Sequence, residues 1–305
     1  GRKQLGEHLK KRLSYYDLIF VSRPHNMEFF TQTASKVYGR GTWPKVIYDA
    51  EAIFSLRDAA KYEVFSGKKD KELEKNINEE VKLVDKSDLV ITVSPEERKT
   101  FAKYYRGEIH VIGHAIEINP TKLPFNERHD LLFIGNLDYN SSPNVDSIVW
   151  FVNEVFPLLH DKLPGINLKL VGSNESSEIQ KLGKRRQVEL LGRQESLEPF
   201  YNLAKVFIAP TRFAGGVPYK IHEAASFGVP VVASELLCEQ LGWKEGEELL
   251  VADVRDPEDF ANNCVRLYTD QNLWESVRKA ALKRVEGECS VSTIKKRVEA
   301  AFDSV

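Results

Sequence analysis

The sequence predicts an α/β protein with two domains, each built around a parallel sheet. Three observations support this fold class. The chain has 305 residues, about twice the length of an average domain. Short continuous apolar runs alternate with segments of helical length, which is typical of parallel strands buried on both faces. Residues 119–130, with two prolines, several charges and no periodicity, separate the two halves and are interpreted as a linker.

The predicted N-terminal domain, residues 1–120, is short for a doubly wound domain because only about four strands are expected in it. We predict these strands at 17–22, 45–49, 88–93 and 108–112. We predict helices at 3–13, at 26–37 and from Ser94 onwards, and one or two helices within 53–86. Ser94 before Pro95 favours a helix start, because the hydroxyl can cap the helix and proline fits its first turn.

The predicted C-terminal domain, residues 121–305, is a complete doubly wound α/β domain. We predict its strands at 131–134, 167–171, 187–191, 205–209, 229–233 and 248–251. Helices are expected at 144–160, 175–182, 196–203, 218–227, 256–268, 271–285 and 291–303. Ligands of such sheets bind at the carboxyl ends of the strands, so we expect the functional site there, in a cleft between the two domains.

Composition excludes several classes of protein. A formal net charge of −2 gives no global indication of a nucleic-acid-binding protein. Three cysteines without C-x-x-C spacing argue against a disulfide framework or a structural zinc site and favour a reducing cytoplasm. No apolar run reaches the length of a membrane helix. The basic segment 3–13 is interpreted as a solvated helix, with peripheral contact to anionic lipid at the inner face of the membrane as the alternative.

Residues 205–234 carry the clearest indication of a ligand site. A predicted strand leads into a loop with Arg212, Gly215 and Gly216, and the following helix carries Lys220. A Gly-rich loop before a helix N-terminus presents free backbone N–H groups to a small anion, and the helix dipole favours negative charge there. With two cations added, the pattern predicts a diphosphate site. The alternative interpretation is an ordinary turn and helix start.

The order of the segments resembles a known enzyme family. The series LLFIGNLDYNSSPNVDS, LKLVGSN, VELLGRQ, APTRFAGG and YKIHEAASFGVPVVAS is similar to the donor half of the large family-4 (group 1) retaining glycosyltransferases of GT-B fold. The resemblance covers residues 131–285 and, more loosely, 17–117. It implies two Rossmann-like domains facing across a cleft. It also implies an incomplete N-terminal domain, because the opening strand, Gly-rich loop and helix that the family places first are not found.

The resemblance implies an enzyme that moves a sugar, with retention of configuration, from a nucleoside-diphosphate sugar to a glycan or lipid-linked acceptor in cell-surface polysaccharide or glycoconjugate synthesis. No metal and no cofactor are implied. Arg212 and Lys220 match positions that meet the diphosphate and are the main catalytic candidates. Glu223 matches the second glutamate of a pair, which meets the ribose, while Gly215 replaces the first and Pro218 replaces a common glycine. The other donor-binding candidates are Gly135, Asn136, Asn144, Gly172, Leu191, Gly216, Val217 and Tyr219.

The acceptor side is predicted at strand ends in the first domain. Asp49 and Glu51 follow the strand 45–49, and Asp49 is the candidate proton acceptor. Arg23 and His25 follow the first strand and are candidates to contact the acceptor. A helix cap or a surface carboxylate is the alternative for each acidic residue. His114 is interpreted as a polar residue at the start of the linker.

Two other functions stay open at this point. A non-catalytic glycosyltransferase-like module that binds a nucleotide or a partner chain is suggested by the missing opening segments and the lost first glutamate. Another GT-B enzyme, such as a sugar-nucleotide epimerase, would form product without an added acceptor. The chain begins at Gly1 and its only methionine is Met27, so a processing site or an artificial boundary is expected at the N-terminus. The sequence leaves the base, the sugar, the acceptor and the oligomeric state undetermined.

Overall fold

A computed structural model describes residues 4–39 and 41–305, which divide into two compact units. Unit 1 contains the described residues up to His114, together with Gly215–Val217 and Ile294–Val305. Unit 2 contains Ala115–Ala214 and Pro218–Thr293. The sequence-based division at residue 120 differs by six residues and placed the last helix in the second domain. Residues 1–3, which the predictions for 1–120 and 3–13 include, lie outside the described residues.

Unit 1 is built on a parallel sheet with the strand order β1-β2-β3-β4. The strands are β1 Leu18–Ser22, β2 Lys45–Asp49, β3 Leu89–Thr92 and β4 Glu108–Val111. The helices are α1 Leu5–Lys10, α2 Pro24–Tyr38, α3 Phe54–Ser66, α4 Leu73–Val81 and α5 Pro95–Phe101, with a 3₁₀ turn at Lys82–Lys86. These elements agree with the predicted alternation, including two helices within 53–86.

Two apolar clusters cover the strands of unit 1. Met27 and Phe30 of α2 pack with Val46 and Tyr48 of β2 in the larger cluster. In the smaller one, Ala301 packs with Ile47 of β2 and with residues of the neighbouring strand β3, which explains why the C-terminal residues belong to this unit. Because successive side chains of a strand point to opposite faces, alternate residues of β2 enter the two clusters.

Unit 2 is built on six parallel strands in the order β10-β9-β8-β5-β6-β7. The strands are β5 His129–Ile134, β6 Leu168–Val171, β7 Val188–Gly192, β8 Ala204–Ala209, β9 Val231–Ser234 and β10 Leu250–Ala252. The helices are α6 Pro143–Trp150, α7 Phe156–Lys162, α8 Ser177–Leu182, α9 Glu198–Leu203, α10 Tyr219–Ser226, α11 Glu235–Leu241, α12 Pro257–Thr269 and α13 Gln271–Cys289. A last helix, α14 Val291–Asp303, belongs to unit 1 from Ile294 onwards. The predicted doubly wound α/β class is confirmed.

Three details of unit 2 differ from the predictions. The helix expected at 144–160 is present, but it contains a π-helical turn at Phe151–Val155, because Pro157 has no N–H to donate into the preceding turn. Helix α11 was not predicted because it follows β9 without an intervening turn. Strand β5 begins inside the predicted linker.

The former linker is part of the unit 2 core because Arg128 is buried there. Its guanidinium donates to the carbonyl oxygens of Leu123 (2.9 Å), Tyr201 (3.1 Å) and Ala204 (3.2 Å) and to the hydroxyl of Thr121. Only 2% of Arg128 is exposed, and burial lowers its pKa to about 10. The segment is therefore held by hydrogen bonds and does not form a free connection.

Candidate functional site

The strand order of unit 2 defines where a ligand site is expected. The chain passes from β5 to β6 and β7 in one direction, and from β8 to β9 and β10 in the other. β5 and β8 are hydrogen-bonded neighbours, so the order reverses between them. Ligands of open α/β sheets bind outside the carboxyl ends of the strands at such a reversal. The residues after Ile134 and after Ala209 are therefore the candidate site.

The residue that follows β5 packs tightly against the residue that follows β6. Gly172 has a φ of +128°, and a Cβ on it would lie 2.1 Å from the carbonyl oxygen of Gly135. Asn144 Nδ2 donates to the carbonyl oxygen of Asn136 at 3.1 Å, which ties the loop after β5 to the start of α6. The side-chain amide of Asn136 makes two bonds to Asp138. Its Nδ2 donates to Asp138 Oδ2 at 2.7 Å, and its Oδ1 accepts from Asp138 N at 3.1 Å, as in an Asx turn. This backbone junction requires a glycine at position 172.

The first turn of α6 contacts both predicted cations. Pro143 occupies its first turn, and the hydroxyl of the N-cap Ser142 accepts from Val145 N at 3.3 Å. Arg212 donates to Asp146 through Nε at 2.8 Å and Nη2 at 2.5 Å. Lys220 Nζ donates to the Asn144 side-chain oxygen. A single helical turn thus orients two cations that come from a loop and from another helix.

Asp146 is a residue that the sequence reasoning missed. Its side chain is 9% exposed and that of Arg212 is 26% exposed, so this ion pair is largely shielded from water. The bidentate pair uses Nε and one N–H of Nη2, which leaves the remaining guanidinium N–H groups for another acceptor. Asp146 is the acidic residue in the first turn of α6, which was the only local signal, and its pairing with Arg212 was not readable from the sequence.

Lys220 lies in a weakly polar setting. Its ammonium is 4.6 Å from the centre of the Phe133 ring, and its hydrogen-bond partner is a neutral amide. Burial lowers the pKa of Lys220 to about 8. The amine is therefore mostly protonated at neutral pH, and an anion placed beside it would raise its pKa again.

Glu223 is hydrogen-bonded by two tyrosines. Tyr201 Oη donates to Glu223 Oε2 at 2.8 Å, and Tyr219, which is 43% exposed, bonds the same carboxylate. Burial raises the pKa of Glu223, and the two tyrosine bonds act in the opposite direction. Lys220 and Glu223 are three residues apart on α10 and therefore lie on one face of that helix.

Leu191 lies on the edge strand β7 at an irregularity in the pairing. Leu190 pairs with Leu170 and Gly192 with Val171, so Leu191 is the extra residue of a bulge. Its carbonyl oxygen accepts from Gln194 Nε2 at 2.5 Å. The predicted backbone contact with a nucleobase at this edge stays a prediction.

The remaining donor-loop residues are grouped with unit 1. Gly215, Gly216 and Val217 line a cavity of about 260 Å³ in that unit. The other lining residues are Glu51, Ala52, Phe54, Arg57, Val93 and His114. His114 was interpreted as a linker residue, but the structure places it on this cavity, and burial lowers the pKa of its imidazole.

Three of the four acceptor-side candidates lie together at the ends of β1 and β2. Asp49 accepts from the Ser22 hydroxyl at 3.1 Å and from Glu51 N at 3.2 Å, and burial raises its pKa. Arg23 Nε donates to Glu51 at 2.8 Å, and both residues have positive φ values, +78° and +55°. His25 is exposed on the first turn of α2. Strain at two adjoining non-glycine residues is common at functional sites.

Glu97 is a buried acid near the cavity, and the sequence did not indicate it as a site residue. Its carboxylate accepts from Ile53 N at 3.2 Å and from Val93 N, next to the residues that line the cavity. Burial raises the pKa of Glu97 to about 7. The predicted helix start is confirmed, because Ser94 Oγ accepts from Glu97 N at 3.1 Å.

Two features are absent from the described residues. Within residues 4–39 and 41–305, no group of three or more His, Cys, Asp or Glu side chains is placed to hold a metal ion. Over the same ranges, no helix has both the length and the apolar composition that crossing a membrane requires.

Sequence comparison finds relatives for a segment of the second unit. Residues 128–270 match the family described as "Glycosyl transferases group 1". A protein from the cps region of Klebsiella pneumoniae is 26% identical over 151 residues, which cover 46% of this chain and 38% of that protein. The lipopolysaccharide core biosynthesis glycosyltransferase LpsE of Rhizobium meliloti is 27% identical over 140 residues, which cover 44% of this chain and 40% of LpsE. The matched segment thus spans about two fifths of these relatives.

Structural comparison extends over the whole chain. Anabaena Alr3699/HepE in complex with UDP matches with a TM-score of 0.75 and 16% identity, covering 100% of this chain and 82% of that one. Sucrose-phosphate synthase from Thermosynechococcus elongatus matches with a TM-score of 0.74 and 19% identity, covering 99% and 77%. Residues 128–270 are therefore similar to the group 1 glycosyltransferases, and the fold of the chain is the GT-B fold that the resemblance implied.

Proposed function

We propose that this chain is a retaining, metal-independent glycosyltransferase that uses a UDP-sugar as donor and a glycan or lipid-linked acceptor of cell-surface polysaccharide synthesis. The observation that carries the proposal is that Arg212 and Lys220 both bond side chains in the first turn of α6, beside the reversal of strand order in unit 2. HepE was crystallised with UDP and with UDP-glucose, which supports uridine as the base. The cps and lipopolysaccharide relatives support the polysaccharide context.

The proposed chemistry depends on positive charge where the donor's diphosphate departs. Breaking a glycosyl–phosphate bond builds negative charge on the phosphate and positive charge on the sugar ring. Arg212 and Lys220 would meet the growing negative charge with donors that the α6 turn already orients. One pre-organised donor of this kind commonly contributes about 10²–10³ in rate. Glu223 would accept the ribose hydroxyls, and Asp49 is the candidate proton acceptor for the incoming hydroxyl.

Nucleotide binding is the first test. Thermal unfolding with UDP, GDP, ADP and dTDP should show stabilisation by UDP, of about 2.7 kcal/mol at one hundred times the dissociation constant. A hydrogen bond to a charged group contributes about 1.5–3 kcal/mol. Arg212→Ala and Lys220→Ala are therefore each expected to weaken UDP binding by about ten- to a hundredfold. Lys184→Ala is the control, because that residue is exposed on a basic run away from the strand ends.

Turnover then separates a transferase from a binding module. The chain is incubated with UDP-glucose and related UDP-sugars, and release of UDP is measured with and without candidate acceptors and with EDTA. Release that is lost in both alanine variants supports a transferase, and the anomeric signal of the product in NMR reports retention. Binding of UDP without release would favour the non-catalytic module. Product formed without any acceptor would favour an isomerising enzyme of the same fold.

A further inference from the structure

The carboxylate of Glu223 accepts a hydrogen bond from a tyrosine that no sequence motif indicated. Tyr201, on α9, donates its hydroxyl to Glu223 Oε2 at 2.8 Å, although the two residues are 22 positions apart and lie on different helices. A carboxylate can only accept, so the phenol must be the donor of this bond. Tyr219 bonds the same carboxylate, and the two oxygens together have about four lone-pair sites, so capacity to accept from a ligand remains.

Tyr201 is held rigidly, so the position of its hydroxyl is fixed. The side chain is fully buried, with 0% exposure. Its ring stacks on Phe227 with centroids 4.6 Å apart and planes 12° apart, and it lies 6.2 Å from Phe207. The backbone is also fixed, because Arg128 Nη1 donates to the Tyr201 carbonyl oxygen at 3.1 Å. Tyr219, by contrast, is 43% exposed.

Both effects of this bond favour a carboxylate that can bind two hydroxyls. A charge-assisted hydrogen bond from a fixed donor selects one orientation of the carboxylate, which lowers the entropy that a ligand must remove. It also opposes the rise in pKa that burial imposes on Glu223 and keeps the carboxylate ionised at lower pH. An ionised, oriented carboxylate is a bidentate acceptor suited to neighbouring hydroxyls on a five-membered sugar ring.

We propose that Tyr201 is a positioning residue that holds the Glu223 carboxylate for the 2′- and 3′-hydroxyls of the donor's ribose and so makes the site specific for ribonucleotides. This inference rests on the proposed nucleotide-sugar function. A purely structural tyrosine would fill the space between α9 and α10 equally well as phenylalanine, so the hydroxyl itself is the part that the proposal assigns to ligand binding.

The test compares two ligands that differ only at the ribose, UDP and 2′,3′-dideoxyuridine diphosphate, by titration calorimetry between pH 5 and 8. Their affinity ratio cancels the shared phosphate and base. The wild-type chain is expected to prefer UDP by tenfold or more, because a site built to bond a ligand hydroxyl strongly disfavours a ligand that lacks it. Tyr201→Phe is expected to lower that ratio at least fivefold and to leave the dideoxy affinity unchanged.

The pH dependence gives a second readout that packing alone would not change. Protonation of Glu223 removes the preference for UDP, so the ratio falls toward acid pH. In Tyr201→Phe the midpoint of that fall is expected about one pH unit higher, because the charged carboxylate has lost a donor. Tyr268→Phe is the matched control. It removes another partly buried tyrosine hydroxyl of unit 2, which accepts from Asp130 N at 3.4 Å at the opposite end of the strands, so neither readout should change.

The outcomes separate the inference from the function on which it rests. If the wild type binds UDP, Glu223→Gln abolishes the preference for UDP, and Tyr201→Phe behaves as wild type, the positioning role is refuted and the proposed function stands. Equal weakening of both ligands in Tyr201→Phe also refutes it, since that result indicates a packing defect. If the wild type does not discriminate between the two ligands, or binds neither, the ribose role of Glu223 fails and the inference fails with it.

Discussion

Replacement of Lys220 by methionine is expected to stabilise the free protein while removing the ligand site. Methionine is unbranched and close to lysine in length, so it fills the same space beside the Phe133 ring without a charge. The native amine is kept in a setting that disfavours its charged form, with an amide as its hydrogen-bond partner. A protein that retains such a lysine gives up stability for a cation at this position.

The size of the effect follows from the pKa. A decrease from 10.5 to about 8 corresponds to about 3 kcal/mol, at about 1.4 kcal/mol per pH unit. Partial exposure of the residue and the lost hydrogen bond to Asn144 reduce the expected gain in Lys220→Met to about 2 kcal/mol at pH 7. Between pH 8 and 10.5 the folded protein loses this proton before the unfolded chain does. Wild-type stability therefore rises relative to the variant, and the gain fades toward pH 10.5.

Urea unfolding at pH 7 and pH 10, without ligand, measures both quantities. Lys184→Met is the control, because Lys184 is exposed. The stability of this variant should equal that of the wild type at both pH values. Calorimetry on the same samples should show that Lys220→Met binds UDP at least tenfold more weakly. A variant less stable than wild type at pH 7, or a gain that does not change with pH, would refute the assignment of a buried, charged amine.

Three further changes test other contacts of the structure. Gly172→Ala should lower the free energy of unfolding in urea by about 3 kcal/mol or more, because its Cβ would lie 2.1 Å from a carbonyl oxygen. The control Gly192→Ala has a positive φ but open space, so it should lower that free energy by only about 1–2 kcal/mol. Equal losses in the two variants would contradict the geometry. Asp146→Asn should weaken UDP binding about tenfold but have no further effect once Arg212→Ala is present, and additive losses in the double variant would exclude a role through Arg212. Glu97→Gln should be more stable than the wild type at pH 8 and equally stable near pH 4.5. The reason is that a folded pKa of about 7, above the ordinary 4.5, makes the stability of the wild type fall as pH rises toward 7. Parallel curves of stability against pH would exclude the raised pKa of Glu97.

The sequence was sufficient for the parts of the fold that depend on local pattern. Ten strands were placed within about two residues, because buried parallel strands are short apolar runs bounded by turns. The linker prediction failed because a tertiary contact decided the outcome. The segment 119–130 has the composition of a linker, but the buried guanidinium of Arg128 attaches it to the C-terminal unit. No periodicity in a single segment reports such a contact.

The candidate site shows the same division between local and distant information. Arg212, Lys220 and Glu223 were identifiable because a loop, a helix start and two charges follow one another along the chain. The groups that orient them were not. Asp146 is 66 residues from its arginine and Tyr201 is 22 residues from its glutamate, so only the folded structure brings them together.

These distant partners suggest how the site keeps its charges both oriented and available. The three charged side chains predicted to bind the ligand each have a partner on another element: Asp146 for Arg212, an amide for Lys220 and a buried phenol for Glu223. In every case the partner uses part of the hydrogen-bonding capacity and leaves the rest for a ligand. Electrostatic catalysis depends on such groups being ordered before the charge develops, because reorganisation during the reaction would raise the barrier. Variants of the partners should therefore impair the site through disorder of residues that are still present, and structures of such variants should show the arginine, lysine or glutamate side chain in more than one orientation.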